Sequence, residues 1–225
     1  MEQAFVSWSG GKDCCLAFHR ASQNGYRVRY LLNMINEDGS RSRSHGLDSE
    51  WLKVQAEALG VSLLQCQTSR ESYEGVFTGA LQTLRAEGIT TGVFGDIDFN
   101  EHRAWIERVC QAGQITPYLP LWLEDQTVLM EEFIGQGFEA IVVAVRADVL
   151  GKEWLGRKVD LQFLADLAKL GNVTPCGESG EFHTFVVDGP LFRQRVEITP
   201  AGASLREGRW FLNIAHSQLS KAGNH

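Results

Sequence analysis

The residues best placed to do chemistry are Ser9-Gly10-Gly11-Lys12-Asp13. They follow an apolar run, Phe5 to Trp8, that reads as a strand. They lead into Cys14, Ala17, Phe18 and Ala21, which share one face at helical spacing. A strand, a glycine turn and a helix start make a site for an anion. Two glycines let backbone N–H groups approach phosphate oxygens with no Cβ in the way. The helix start adds unpaired N–H donors and a positive dipole end. Lys12 contributes a full charge, and Asp13 can hold a magnesium ion or its water shell. The common P-loop is excluded, because Asp13 follows Lys12 and Val6 stands five before Gly11. A Gly-x-Gly-x-x-Gly fingerprint is absent from the stretch as well. A purely structural turn is the plainer alternative, but this sequence after a buried-type strand favours phosphate binding.

A second cluster lies at Pro175-Cys176-Gly177-Glu178-Ser179-Gly180-Glu181-Phe182-His183. Loops crowded with such groups serve sites more often than cores. Glu178, Glu181 and His183 can supply magnesium ligands, a general base or substrate hydrogen bonds. The alternative is a glycine-turned surface loop with solvated carboxylates. Asp96 and Asp98 fall just past a candidate strand, at the edge where open α/β sheets bind ligands, and can hold magnesium on phosphates. Their alternative role is to cap a helix from Asn100. Arg103 can meet phosphate bidentately or pair with Glu107 at helical spacing. His102 opens the same helix. Arg41, Arg43 and His45, in a Ser-rich loop, are either phosphate or lid groups or a solvated surface. Cys176 with His183 is too little for a zinc site, and no Cys-x-x-Cys pair occurs.

The elements that must position these residues alternate. Candidate strands are Phe5 to Trp8, Val28 to Met34, Val61 to Gln65, Thr91 to Gly95 and Ala140 to Val145, mostly continuous apolar runs as doubly covered strands require. Tyr73, Phe77, Leu81 and Leu84 form a helical stripe; Ala104, Val109 and Cys110 belong to another. Gly25, Gly60, Gly88, Gly113 and Gly137 fall where helices should stop. Asp48 and Thr68 are candidate N-caps, Thr68 with Glu71 in capping-box spacing. Strand–helix alternation predicts an α/β fold, a parallel sheet sandwiched by helices. From about Asp148 the pattern shifts to one helix (Leu161, Leu164, Leu167, Ala168) and strands at Thr184 to Val187, Val196 to Thr199 and Trp210 to Ile214. Glu207-Gly208 reads as their hairpin turn. The expected division is therefore a phosphate-binding α/β domain over 1–145 and a smaller α+β lobe over 146–225, with fraying from Ser220.

Composition narrows the function classes. A net charge of −7 over 225 residues argues against broad nucleic-acid binding. No apolar run approaches a membrane span, and Met1-Glu2-Gln3 lacks a signal peptide's basic start, so a cytoplasmic location is expected. Five irregularly spaced cysteines suit a reducing compartment. A homodimer is one arrangement open to the chain.

Ser9-Gly10-Gly11-Lys12-Asp13 resembles the PP-loop of ATP pyrophosphatases, with Cys14 where that group usually carries Ser. Gly177 to Phe182, Thr184-Phe185 and Asp188-Gly189-Pro190-Leu191-Phe192 resemble the C-terminal signature of the diphthine–ammonia ligase family. Gly95-Asp96-Ile97, His102-Arg103, Glu107-Arg108-Val109-Cys110 and Pro120-Leu121-Trp122 are similar to its central block. The resemblance implies an adenine nucleotide α-hydrolase-like fold and an enzyme that cleaves MgATP to AMP and pyrophosphate. In that family a carboxylate of diphthine, a modified histidine of an elongation factor, is adenylated, and ammonia displaces AMP. It places ATP on Ser9, Gly10, Gly11, Lys12, Asp13, Cys14, Asn33, Met34 and Gly95, with magnesium at Asp13, Asp96 and Asp98. Lys12 and Arg103 would stabilise charge, while Glu178, Glu181 or His183 positions the amine or takes its proton. The ligases typically carry Glu where His183 stands, Gly-Ala-Ile at Gly95 to Ile97, and Tyr-Gln-Arg at Glu101 to Arg103. These departures imply a sister subfamily acting on another acceptor carboxylate or amide, borne by a small molecule or a protein. A non-catalytic ATP or AMP sensor and an RNA-modifying PP-loop enzyme are the alternatives; the second reactive cluster argues against the first, and the acidic balance and missing Cys-x-x-Cys against the second.

Overall fold

The computed structural model describes residues 1–43 and 46–221. It divides into two compact units: Met1–Ser9 with Asp13–Leu123, and Gly10–Lys12 with the chain from Glu124 onward. Among the described residues, the first unit holds β1 (Glu2–Ser7), β2 (Tyr26–Ile35), β3 (Ser62–Gln67), β4 (Thr91–Val93) and β5 (Thr116–Tyr118) in one parallel sheet, ordered β3-β2-β1-β4-β5. Helices α1 (Lys12–Gln23), α2 (Ser49–Leu59), α3 (Tyr73–Ala86) and α4 (Asn100–Gly113) connect the strands. The run Ala4-Phe5-Val6 in the central strand is fully buried, as a strand covered on both faces must be. Phe5, Leu32, Phe77, Leu81, Phe94 and Val109 share one core on the α3 and α4 face.

Local chemistry sets the helix ends. Asp48 accepts from the Glu50 N–H at the start of α2, and Gly60 closes it in a left-handed conformation, both as expected. Thr68 does not cap α3. Ser69 and Ser72 exchange hydrogen bonds, Ser72 N–H to Ser69 Oγ and Ser69 N–H to Ser72 Oγ, and the Thr68 hydroxyl joins that turn. The helix therefore starts at Tyr73, with Ser72 in the cap position. Gly113 does not stop α4 either; the left-handed residue is Gln114. A Cβ on Gly113 would lie 2.6 Å from Leu81 Cβ, so this glycine is there to bring α4 against α3.

The second unit holds α5 (Gln126–Gly135), β6 (Glu139–Arg146), a 3-10 turn (Lys152–Trp154), α6 (Leu161–Leu170), β7 (Phe182–Asp188), β8 (Gln194–Arg206) and β9 (Arg209–Lys221). Its antiparallel sheet runs β7-β6-β9-β8. Glu207 and Gly208 both have positive φ and close the β8–β9 hairpin. Strand β9 reaches Lys221, so Ser220 is paired rather than frayed. The division falls at Leu123/Glu124 rather than 145/146, because Ala140 to Val145 is a strand of the antiparallel sheet. Val142 to Val145 are buried there, and a continuous apolar run does not distinguish a doubly covered antiparallel strand from a parallel one. No described helix is long and apolar enough to cross a membrane.

Gly113→Ala sets helix propensity against packing. Alanine is the better helix former by about 1 kcal/mol, yet its methyl would overlap Leu81. The overlap should win, giving a net loss of roughly 1–2 kcal/mol in urea denaturation. A variant as stable as wild type would show that α3 and α4 can move apart without penalty.

Candidate functional site

In the first unit the strand order reverses between β1 and β4, so the connections leave these neighbours in opposite directions. Open α/β sheets bind ligands at the carboxyl end of such a pair. The residues that follow are Ser9 to Asp13 after β1 and Gly95 to Asp98 after β4. A Cβ on Gly95 would lie 2.8 Å from the Asp13 carbonyl carbon and 2.9 Å from the Cys14 nitrogen, so the end of β4 lies against the start of α1. Ser9 Oγ donates to Cys14 Sγ at 3.4 Å. Burial pushes the Cys14 thiol up, but hydrogen bonds from Cys15 and Ser9 outweigh it and leave the group below its ordinary value. Burial holds Cys15 well above, and drives Cys110 up to about 12. None of the five cysteines forms a disulfide among the described residues.

Gly10, Gly11 and Lys12 fold with the second unit. Gly10 takes φ of 81°, a left-handed conformation that favours glycine. Its carbonyl accepts from Val186 N–H at 3.0 Å. The Lys12 N–H donates to Thr184 Oγ1 at 3.1 Å. Only 4% of Lys12 is exposed; its ammonium donates to the Cys176 carbonyl and lies 5.4 Å from the centre of the Phe182 ring. A buried ammonium requires such partners, since desolvating it unpaired costs several kcal/mol. The Cys176 turn is itself fixed: its N–H donates to Gln126 Oε1 at 3.0 Å, and its Sγ meets the Gln126 carbonyl at 3.4 Å.

The Glu178 to Glu181 loop is equally restrained. Thr174 Oγ1 accepts from Glu178 N–H, and Thr174 N–H donates to Glu181 Oε1, each at 2.8 Å. Arg146 holds the Ser179 carbonyl at 3.3 Å, and Arg209 holds that of Gly180 at 2.6 Å. Glu181 is 3% exposed, and its Oε2 has no hydrogen-bond partner among the described residues. An unsatisfied buried acceptor costs about 1–3 kcal/mol, more when charged. Glu178 and His183 are half-buried. The solvated-loop alternative thus fails for Glu181.

The remaining expected residues divide. His102 Nδ1 lies 3.3 Å from Asp96 Oδ1. Arg103 pairs with Glu107 at 2.8 Å and sits 5.0 Å from the Trp122 ring. Phe99 occupies the N-cap position of α4, so neither Asp96 nor Asp98 stands there. Asn33 and Met34 are spent in the interior. Asn33 donates to the Trp8 carbonyl and Ser42 Oγ and accepts from Gln65, while Met34 lies in the core. Arg41 bonds the Gly46 carbonyl, Arg43 that of Thr68, and His45 lies outside the described residues. No three His, Cys, Asp or Glu among the described residues gather to hold a metal. Magnesium on Asp13, Asp96 or Asp98 would thus take its other oxygens from phosphate and water, as this ion usually does.

Sequence reasoning missed Gln126, Arg146, Thr174 and Arg209. Thr174 directly precedes the reactive cluster, and a hydroxyl there is a turn-closing signal. Arg146 and Arg209 are brought to the loop only by sheet pairing, which local sequence does not show.

The Ser-Gly-Gly-Lys-Asp turn at a reversal of strand order in a parallel sheet defines an α/β protein of the PP-loop type. The chain belongs to the diphthamide synthase family: its N-terminal domain matches over residues 2–116 and its C-terminal domain over 125–223. A rat protein named diphthine–ammonia ligase is 29% identical, with 94% of this chain and 88% of that protein aligned. Its zebrafish counterpart is 29% identical over 95% and 92%, and the human one 27% over 92% and 87%.

Thr184→Val keeps the side-chain shape and removes the acceptor of the Lys12 N–H. Protection of that amide in hydrogen exchange should drop about tenfold in the ligand-free protein, the equivalent of one net hydrogen bond. Unchanged protection would mean that Thr184 does not hold the loop.

Proposed function

We propose that the chain is an ATP-dependent ligase that releases AMP and pyrophosphate while converting an acceptor carboxylate to an amide. The single observation behind this reading is the lysine-bearing glycine turn at the start of α1, in a chain whose family is shown over both halves. Its donor set suits a triphosphate: a left-handed glycine, a helix N-terminus and one ammonium.

Ser9, Gly10, Gly11, Asp13 and Cys14 would cradle the phosphates. Lys12 and Arg103 would neutralise the charge that grows as pyrophosphate leaves. Magnesium, held by carboxylates among Asp13, Asp96 and Asp98, would supply charge neutralisation on the phosphates. An acceptor carboxylate oxygen attacks the α-phosphorus, and the bond to pyrophosphate breaks. Ammonia then attacks the activated carbonyl carbon, and the C–O bond to AMP breaks. Glu178, Glu181 and His183 serve this second step as hydrogen-bond and proton acceptors. The relatives' name points to diphthine as the acceptor class.

The test is product analysis. MgATP, ammonium and the diphthine-bearing elongation factor should give AMP and pyrophosphate in an acceptor-dependent way, with the factor amidated by mass spectrometry. ADP as the nucleotide product would overturn the reading. AMP release with other carboxylates and not with diphthine would keep the chemistry and change the acceptor.

A further inference from the structure

A groove of about 550 Å³ opens in the first unit, lined by Arg43, Arg70, Glu71, Tyr73, Glu74 and Trp105. That size suits a small organic molecule or one modified side chain. One wall is aromatic and braced. The Tyr73 and Trp105 ring centres lie 5.7 Å apart, and the buried Phe77 ring contacts both, at 6.2 and 5.0 Å. Trp105 Nε1–H donates to Glu74 Oε2 at 3.1 Å, and the Arg108 guanidinium donates to both Glu74 oxygens at 3.3 and 2.7 Å. The charge of Glu74 is thus already met.

Arg43 and Arg70 are the cations of the groove. Arg43 is steadied by Nη1 donating to the Thr68 carbonyl at 3.2 Å. Neither guanidinium pairs with a carboxylate among the described residues. Their charge still reaches the exposed Glu71. Its own N–H, the Ser69 hydroxyl and then these two guanidiniums hold that carboxyl below its usual range. The groove shares an edge with the start of α1. Gly95 closes on Asp13 and Cys14, Asp96 follows it, and Tyr73 feels the charges of Arg43 and Asp96.

We propose that this groove docks the acceptor, with Arg43 and Arg70 gripping its carboxylate and the Tyr73–Trp105 wall taking the flat ring that bears it. The proposal rests on the ligase reading above. The mixture of signs selects a monoanion. A neutral ligand would leave both guanidinium forks unmatched, and a polyphosphate would meet Glu71 and Glu74 on the same rim. A single carboxylate fits a planar guanidinium fork. The wall selects the body, because rings stack on rings, and a ring that carries positive charge gains further from aromatic faces and from Glu71. The chemistry also calls for such a site. A carboxylate nucleophile must approach a polyanion, and guanidiniums beside it offset that repulsion.

Imidazolepropionate, a flat ring joined to a carboxylate, is the probe. In protein carrying isotope-labelled tryptophan, the Trp105 indole N–H resonance, assigned with Trp105→Phe, should shift saturably as the probe is added. The shift should persist with MgATP present. The methyl ester of the probe lacks the charge and should bind at least about tenfold more weakly. Arg43→Gln and Arg70→Gln, both at exposed positions, should each weaken the probe at least about fivefold and bind MgATP within about threefold of wild type. No saturable shift, tighter binding of the ester than that, or a smaller effect in either variant would overturn the proposal. So would displacement of the probe by MgATP or a larger loss of MgATP affinity in the variants, since either would make the groove a nucleotide subsite. Failure of wild type itself to bind MgATP would instead defeat the ligase reading, and the probe would still decide whether the groove takes a carboxylate.

Discussion

The site depends on how Lys12 is held. A lysine ammonium with 4% exposure survives in a folded protein only if carbonyls, rings or charges replace the water it has lost. Here the replacement comes from the Cys176 carbonyl and the face of Phe182, and the backbone is fixed by Thr184 and Val186. Gly10 to Lys12 thus fold with the second unit although both flanking segments belong to the first. Everything around the lysine reads as support for that arrangement. Gln126 fixes the Cys176 turn, Thr174 and Glu181 close the following loop, and Arg146 and Arg209 hold the loop's carbonyls.

Behind Phe182 the support continues through ring contacts. Phe163 meets Phe182 edge-on at 5.3 Å, Trp154 meets Phe163 at 5.6 Å, and Arg157 lies over Trp154 at 4.4 Å while pairing with Asp166. Such edge-to-face pairs add about 0.5–1.5 kcal/mol each beyond their burial. They fix the plane of the ring that faces Lys12. For the role proposed for Lys12 that rigidity would matter, because a phosphate-binding lysine displaced by an ångström loses much of its value in the transition state.

The sequence marked the β1–α1 turn and the α/β alternation more clearly than the contacts between distant segments. Ser9 to Asp13 was legible because glycines, lysine and aspartate between a buried strand and a helix have few other uses. The β1–α1 turn appears where it was expected. Ala140 to Val145 was legible as a strand and not as a member of a sheet, since burial on both faces erases the alternation that marks antiparallel strands. Gly113 looked like a helix stop because glycine serves both ends and close contacts, and only the position of Leu81 decides which. Asn33 and Met34 were assigned to ATP by the family resemblance. Their burial, set by Gln65, Ser42 and the α3 core, depends on neighbours distant in sequence. The same distance hid Arg146 and Arg209. Family resemblance supplied the second loop's importance, and the unpaired Glu181 oxygen within it became visible only in three dimensions.

The central claim is that Ser9 to Asp13 binds the phosphates of ATP through Lys12. Isothermal titration of MgATP into wild type and Lys12→Met tests it most directly, since methionine keeps the length of the chain against Phe182 and removes the charge. The account predicts binding in wild type and a loss of at least about tenfold in the variant, with both proteins equally folded by circular dichroism. Equal affinity in the two, or no binding in wild type, would contradict it and leave the glycine turn a structural corner.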